Sequence, residues 1–431
     1  MLAIICVVRM SSNALALVMT FETTSCLAIL DRLVGFDTTS HKSNSDLIFW
    51  VRDYLDSLGV TSTLLPDITG NKFNLLATIG DASVPGIVLS GHTDVVPADG
   101  SNWSSDPFNL RQDEGRIYGR GTTDMKGFLS IVLAAVPAML EQPLGFPITL
   151  AFSYDEEVGC FGAQSLAHAI PTGQHVIVGE PTTLHRGTRH KGARVQTLAV
   201  TGVPAHSGTP SLGLSAIEYS QTILTQLIKL GHDLSDNRNS FPSSLVVTGI
   251  SGGGAVNIVP ANCELTWLFR AANAGDAQNV EQKVFEMSRL LDEQLKAVAP
   301  QAGASLATVC DVPLFQSDAS SLMSGRVGEV FATRPAINLN FATEAGVYHS
   351  AGHSVVVCGP GDMAQGHIYY EYIQVAALQE GIKFINAVIV AAPSYIHHAP
   401  FAVFGMGFRG HLSLWLPPPH IDTAHLTGKQ C

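Results

Sequence analysis

From Leu27 to Val390 the apolar positions follow two alternating rhythms. Leu27, Ile29, Leu30 and Leu33 fall on one helical stripe. Ile48, Val51, Leu55 and Leu58 recur at spacings of three and four, which predicts a second helix over Leu47 to Leu58. Short apolar runs then alternate with longer helical patterns. Asn74 to Ile79, Gly86 to Ser90, Ile148 to Ser153 and His175 to Val178 read as strands; Met125 to Leu140 and Gly162 to Ala169 read as helices. This alternation predicts an α/β domain around a largely buried sheet.

The rhythm changes near Arg194. Val195 to Thr201 alternates like a half-buried strand, Ser215 to Leu230 is an amphipathic helix, Ser244 to Gly249 and Cys263 to Arg270 are strands, and Val280 to Val298 is a helix. That order predicts a small α+β sandwich, helices on one sheet face, inserted into the first domain. After Pro300 the α/β pattern resumes, with Ser354 to Cys358 as a strand and Tyr372 to Val390 as a helix. The expected division is an N-terminal extension (1–19), a catalytic domain in two parts (20–193 and 306–390), the inserted domain (194–305) and a tail (391–431). The tail carries five of the 16 histidines and a Pro417-Pro-Pro419 run; a loosely packed segment and a metal-binding tract are its two readings.

Composition narrows the function classes. Charged residues make up 14% of the chain, against ~25% in an average soluble protein. The net charge is −12, and an acidic chain lacks the basic footprint of general nucleic-acid binding. No apolar run is long enough to span a bilayer. The seven cysteines are widely spaced with no CxxC, which fits a reducing cytoplasm better than a disulfide scaffold. A secreted reading rests only on the short apolar stretch Met1 to Val8 and the Asn102-Trp-Ser104 sequon.

Candidate chemistry gathers in four loops at predicted strand ends. His92 and Asp94 follow the strand ending at Ser90; an imidazole with a neighbouring acid suits a metal ligand held in one tautomer. Asp124 follows Gly119-Arg-Gly121 at the head of a helix, where an aspartate can cap the helix or bridge two cations. Asp155, Glu156 and Glu157 are consecutive acids after a strand; a solvated turn and a metal-neutralised cluster are the alternatives. Glu180 lies at the carboxyl end of another strand, the edge at which α/β sheets bind ligands.

In this order and spacing the four loops resemble the M20 family of metallopeptidases and deacylases, most closely its acetylornithine deacetylase branch. Leu33 to Ser40, Gly179 to Thr182 and His190 to Gly192 carry the branch resemblance, which spans Thr20 to Val390. It implies a zinc-peptidase-like catalytic domain with a lid that also dimerises, and two zinc ions for which cobalt can substitute. Asp124 would bridge them, with His92 and Glu180 on one ion and Glu157 and His367 on the other. Glu156 would be the general base and Asp94 would orient His92. His206, in the lid, would stabilise the oxyanion, across the dimer or within one chain, if it is not simply a surface histidine. Asn257 and Arg270 match contacts to a substrate carboxylate. Lys191 is a second such contact or a solvated lysine, and Glu344 a partner for a cationic substrate side chain or a buried structural acid. The implied reaction is removal of the acetyl group from N-acetyl-L-ornithine. N-acetylcitrulline or N-acetylmethionine deacylation, dipeptidase activity and an inactive binding scaffold are the alternatives. One departure stands out. The branch's Pro and Asp after the histidine ligand are Tyr369 and Tyr370 here, while His367 and Glu371 keep their places.

Overall fold

The structure, a computed structural model, describes residues 12–98, 103–141, 144, 146–235, 240–317 and 336–391. Met1 to Val8, Asn102 of the sequon and nearly all of the 391–431 tail lie outside the described residues.

The larger sheet has nine strands among the described residues. Its centre is β3 (Ile87–His92), flanked by β6 (Ile148–Ser153) and β7 (His175–Pro181), all three parallel. Outward on one side lie β2 (Phe73–Ile79) and β1 (Ser62–Pro66), both antiparallel. On the other lie β15 (Ser354–Gly359), β8 (Arg186–His190) and the short β13 (Phe315–Gln316) and β14 (Ala336–Leu339). The central strands read as unbroken apolar runs because both faces are covered. Side chains of one parity (Ile87, Leu89, Leu150, Phe152, Ile177, Val356) pack against α1 (Ser12–Val34), α2 (Ser45–Ser57), α3 (Lys126–Glu141) and α8 (Val375–Ala391). Those of the other parity (Val88, Ala151, Val176, Val178, Val357) pack against α4 (Phe161–Ala169) and α7 (Ala345–Ser350).

The smaller sheet has the order β10-β11-β9-β12. Its strands are β9 (Ala193–Thr201), β10 (Ser244–Gly252), β11 (Asn262–Arg270) and β12 (Gly303–Val312), with α5 (Ala216–Ser235) and α6 (Ala274–Val298) on one face. Along β11 the buried positions alternate, and Cys263, Leu265, Trp267 and Phe269 form the core with Leu227, Val284 and Leu291 of the helices. β4 (Arg111–Asp113), β5 (Arg116–Tyr118) and β16 (Tyr372–Gln374) make a third, small sheet.

Among the boundaries that differ from the sequence expectation, three bear on the domain division and the site. Strand β12 carries the smaller sheet to Val312, past residue 305; its weak alternation gives little period-two signal. Tyr372 to Gln374 are not the start of a helix but a strand paired with β5, held where Thr123 Oγ1 donates to the Tyr372 carbonyl at 2.6 Å. Helix α1 begins at Ser12, ahead of the boundary at 20.

Close approach of α3 to the sheet depends on Gly179 in β7. A Cβ there would lie 2.2 Å from the ring of Phe128, which is 1% exposed on the first turn of α3. Gly179→Ala is expected to lower the unfolding free energy by about 1–3 kcal/mol through overpacking, read as a lower denaturant midpoint. An unchanged midpoint would mean that the ring moves aside freely.

Candidate metal centre

Parallel pairing of β3, β6 and β7 brings three segments of the site to one edge, and two more meet them there. His92 pairs with Ser153, so the His92–Asp94 loop and the Asp155–Glu157 turn leave the sheet side by side. Glu180 lies in β7, two residues beyond the pairing of Val178 with Ser90. Asp124 stands just before α3 in a cis peptide with Met125. His367 arrives from the segment between β15 and β16.

Asp124 is the centre of the group. Its Oδ1 lies 3.0 Å from His92 Nε2 and its Oδ2 3.1 Å from His367 Nε2. His367 Nε2 also lies 2.9 Å from Glu157 Oε2, and His92 Nε2 3.7 Å from Glu180 Oε1. Ligand atoms of His92, Asp124 and Glu157 fall within 4.8 Å of one another, as do those of His92, Glu156 and Glu180. Glu156 therefore approaches the same imidazole as Glu180. His92 is completely buried, whereas the His367 side chain is 49% exposed, so the group opens to solvent on the His367 side.

Asp94 acts through both its main chain and its side chain. Its carbonyl accepts from His92 Nδ1 at 2.9 Å, which turns Nε2 toward Asp124, while its carboxylate oxygen lies 3.6 Å from that nitrogen. The carboxylate instead accepts from the Glu156 and Glu157 amides at 3.0 and 3.3 Å and from Ser40 Oγ at 2.7 Å. Of the three consecutive acids, Asp155 is paired with Lys72, a cation the sequence reading did not connect to it. Glu371 was equally unassigned. Its buried carboxylate accepts from Arg120 Nη1 at 2.8 Å and from the amides of Gly121, Thr123 and Asp124 at 3.0, 2.8 and 3.0 Å. The Asp124 loop is thus pinned by one side chain. Gly121 supplies the left-handed turn, φ +83°, that faces these amides inward.

The charges require a counterion. Asp124, Glu156, Glu157 and Glu180 converge in a largely buried space, and Glu157 Oε1 and Glu180 Oε1 have no hydrogen-bond partner among the described residues. Burial pushes Glu156 and Glu180 well above the usual carboxylate range, and neighbouring acids push them further. Burial likewise raises Glu157 to about 7. Burial opposes ionisation of Asp124 too, but hydrogen bonds from His367 and His92 hold it below its ordinary value. Those to Asp124 and Glu157 raise His367 to about 11. Imidazole and carboxylate donors around a common bridging acid fit divalent ions of the zinc type, which would replace these protons.

The other expected residues lie outside the converging group. Lys191 Nζ stands 5.0 Å over the Phe241 ring, and burial together with the charge of Arg270 lowers its pKa. His206 and Asn257 are exposed together on the smaller unit, where the Ser207 amide donates to the Asn257 carbonyl at 2.9 Å and the Gly208 amide to His206 Nδ1 at 3.0 Å. Glu344 is buried beside the centre, close enough for its charge to add to the burial that raises the Glu156 pKa, and for His92 to oppose the burial that raises its own. It is 0% exposed, and Ser90 Oγ lies 3.0 Å from both its Oε2 and the Tyr348 hydroxyl. Glu344 stands at the N-cap position of α7, without a side-chain cap hydrogen bond, and α7 packs on the same face of the sheet as α4.

Because protons occupy oxygens that a cation needs, divalent-ion affinity is expected to fall at least ~10-fold when the pH is lowered from about 8 to about 6. Calorimetric titration of metal-stripped protein checks this; equal affinity at both values would show that no proton is displaced.

Residues 88–391 match the model of peptidase family M20/M25/M40. The chain is 31% identical over 363 residues to an acetylornithine deacetylase of Proteus mirabilis (strain HI4320), covering 82% of this chain and 91% of that protein. It is 30% identical over 375 residues to one of Pasteurella multocida (strain Pm70), covering 85% and 96%. Its fold is similar to that of a tripeptidase from Staphylococcus aureus (TM-score 0.68, 18% identity, covering 86% of this chain and 98% of that one). It is similar also to a dinuclear metal-binding M20 peptidase from Bacillus subtilis (TM-score 0.60, 15% identity, covering 86% and 99%). Since the matched span covers most of the chain and includes His92, Asp124, Glu156, Glu157, Glu180 and His367, the chain belongs to peptidase family M20/M25/M40, a family of metal-dependent hydrolases.

Proposed function

We propose that this hydrolase removes the acetyl group from N-acetyl-L-ornithine, releasing L-ornithine and acetate for arginine biosynthesis. The observation that carries the reading is Asp124 set between His92 and His367 with Glu156 beside them, in a chain whose curated relatives are acetylornithine deacetylases. Two zinc ions, replaceable by cobalt, would be held by His92 and Glu180, by Glu157 and His367, and by Asp124 between them. Such a pair, when bound, lowers the pKa of water and polarises an amide carbonyl. Glu156 takes the proton of the attacking water and delivers it to the leaving amine. Its raised proton affinity suits that exchange. Asp94 holds the Glu156 amide and so fixes where the base begins. Arg270, with Lys191, receives the substrate carboxylate; Asn257, at the far end of β11 from Arg270, would reach that carboxylate from the lid of the second copy in the dimer.

His206 donates to the developing oxyanion from the lid. The lid also forms a homodimer. Val246 and Ile250, 58% and 59% exposed on the outer strand β10, support that role. We place the reaction in the cytoplasm, in keeping with free thiols at Cys26, Cys160, Cys263, Cys310 and Cys358. Among the described residues no helix is long and apolar enough to cross a membrane.

One observation favours a second substrate reading. Glu344 is buried, and that burial raises its pKa, so it offers less negative charge to a cationic side chain, which leaves room for neutral N-acyl amino acids. Ornithine release, measured beside deacylation of N-acetylcitrulline and N-acetylmethionine with and without chelator, decides. Metal-dependent turnover favouring acetylornithine supports the first reading, and preference for a neutral substrate supports the second. Glu156→Ala is expected to lower kcat by at least ~100-fold while metal content stays unchanged. Turnover within a few-fold of wild type would overturn the general-base assignment.

A further inference from the structure

His367 is the exposed member of the centre, so burial alone does not fix its ring. Its backbone is left-handed, φ +56°, and so is that of Tyr370, φ +65°. Non-glycine residues keep that conformation when neighbouring contacts hold them there. One contact that holds this loop is aromatic. The Tyr370 ring lies 5.9 Å from the ring of Trp103, tilted by 54°, and Trp103 is only 9% exposed. Arg120 stacks on Trp103 with its guanidinium carbon 5.3 Å from the ring centre. The same guanidinium donates to Glu371, the residue after Tyr370, and Glu371 grips the Asp124 amide. The contacts thus form a closed circuit, Tyr370 to Trp103 to Arg120 to Glu371 and back along the chain to Tyr370. It joins the loop of His367 to the loop of Asp124.

We propose that this Tyr370–Trp103–Arg120 clasp positions His367 as a metal ligand, doing by ring packing what an acid at position 370 would do by hydrogen bonding. The inference rests on the two-ion reading of the site. Ring packing has a different signature from an acid: it needs the face of residue 370 and not its hydroxyl. Tyr370 and Trp103 are positioning residues, since neither is among the groups that converge on Asp124.

The test is a titration of metal-stripped, full-length protein with Co2+, following the visible absorption of the bound ion. Wild type is expected to fill in two steps. Tyr370→Ala and Trp103→Ala are each expected to leave the first step unchanged and to weaken the second by ~10–100-fold, the range for losing a ligand's outer partner. Tyr370→Phe is expected to restore both steps. Two wild-type steps in Tyr370→Ala would overturn the clasp while leaving the two-ion reading intact. Loss of both steps would overturn it too, because the whole centre and not one loop would then depend on the ring. So would a Phe variant as weak as the Ala variant. A wild-type protein that takes up one ion only would refute the two-ion reading itself, before any variant is compared.

Discussion

The molecule is organised around negative charge held out of water. Four carboxyl groups converge at the carboxyl edge of the larger sheet, where the surrounding atoms solvate an ion poorly. Three acids beside that group have partners of their own. Asp155 has Lys72, Glu371 has Arg120 with three amides, and Asp94 has two amides and a serine hydroxyl. The acids left over are Glu157, Glu180 and Glu156, which share the imidazoles of His92 and His367 with Asp124, while Glu156 also accepts from the Cys160 thiol at 3.5 Å. The scaffold thus separates acids that organise loops from acids reserved for cations, though the two kinds are adjacent in sequence.

Much of this was legible in the chain. Unbroken apolar runs marked the central strands because a sheet covered on both faces needs apolar side chains of both parities. The loops after those strands marked the site because parallel strands put their carboxyl ends on one edge. What was not legible depends on direction rather than residue type. HxD spacing placed Asp94 beside His92, but only the fold shows its carbonyl serving the ring and its carboxylate serving the next loop. From sequence Glu344 is a substrate partner or a buried structural acid; only the fold shows it fully buried with Ser90 Oγ on its carboxylate. Strand β12 was missed because its burial hardly alternates, and β16 because three residues give no period at all.

The two units are joined where β9 leaves and β12 returns. These strands pair with each other, Arg194 opposite Asp311, and the arginine makes a two-pronged ion pair with that aspartate. Both crossings are therefore one piece of sheet. The smaller unit is attached through a paired ribbon, which resists twisting better than two separate strands. Exposed His206 and Asn257 on that unit keep their mutual geometry however it sits relative to the metal ligands, because their link is made of main-chain hydrogen bonds.

The parity of β3 has a consequence for how such a chain can change. Ile87 and Leu89 face one core and Val88 faces the other, and His92 ends the same strand. Adding or removing one residue within β3 would send each side chain into the opposite core and rotate His92 away from Asp124. Length variation is therefore closed to the central strands and open to the turns at the opposite edge, such as the exposed stretch from Gly80 to Pro85. Lineages that keep this centre can drift in loop length and in the smaller unit while the spacing along β3 stays frozen.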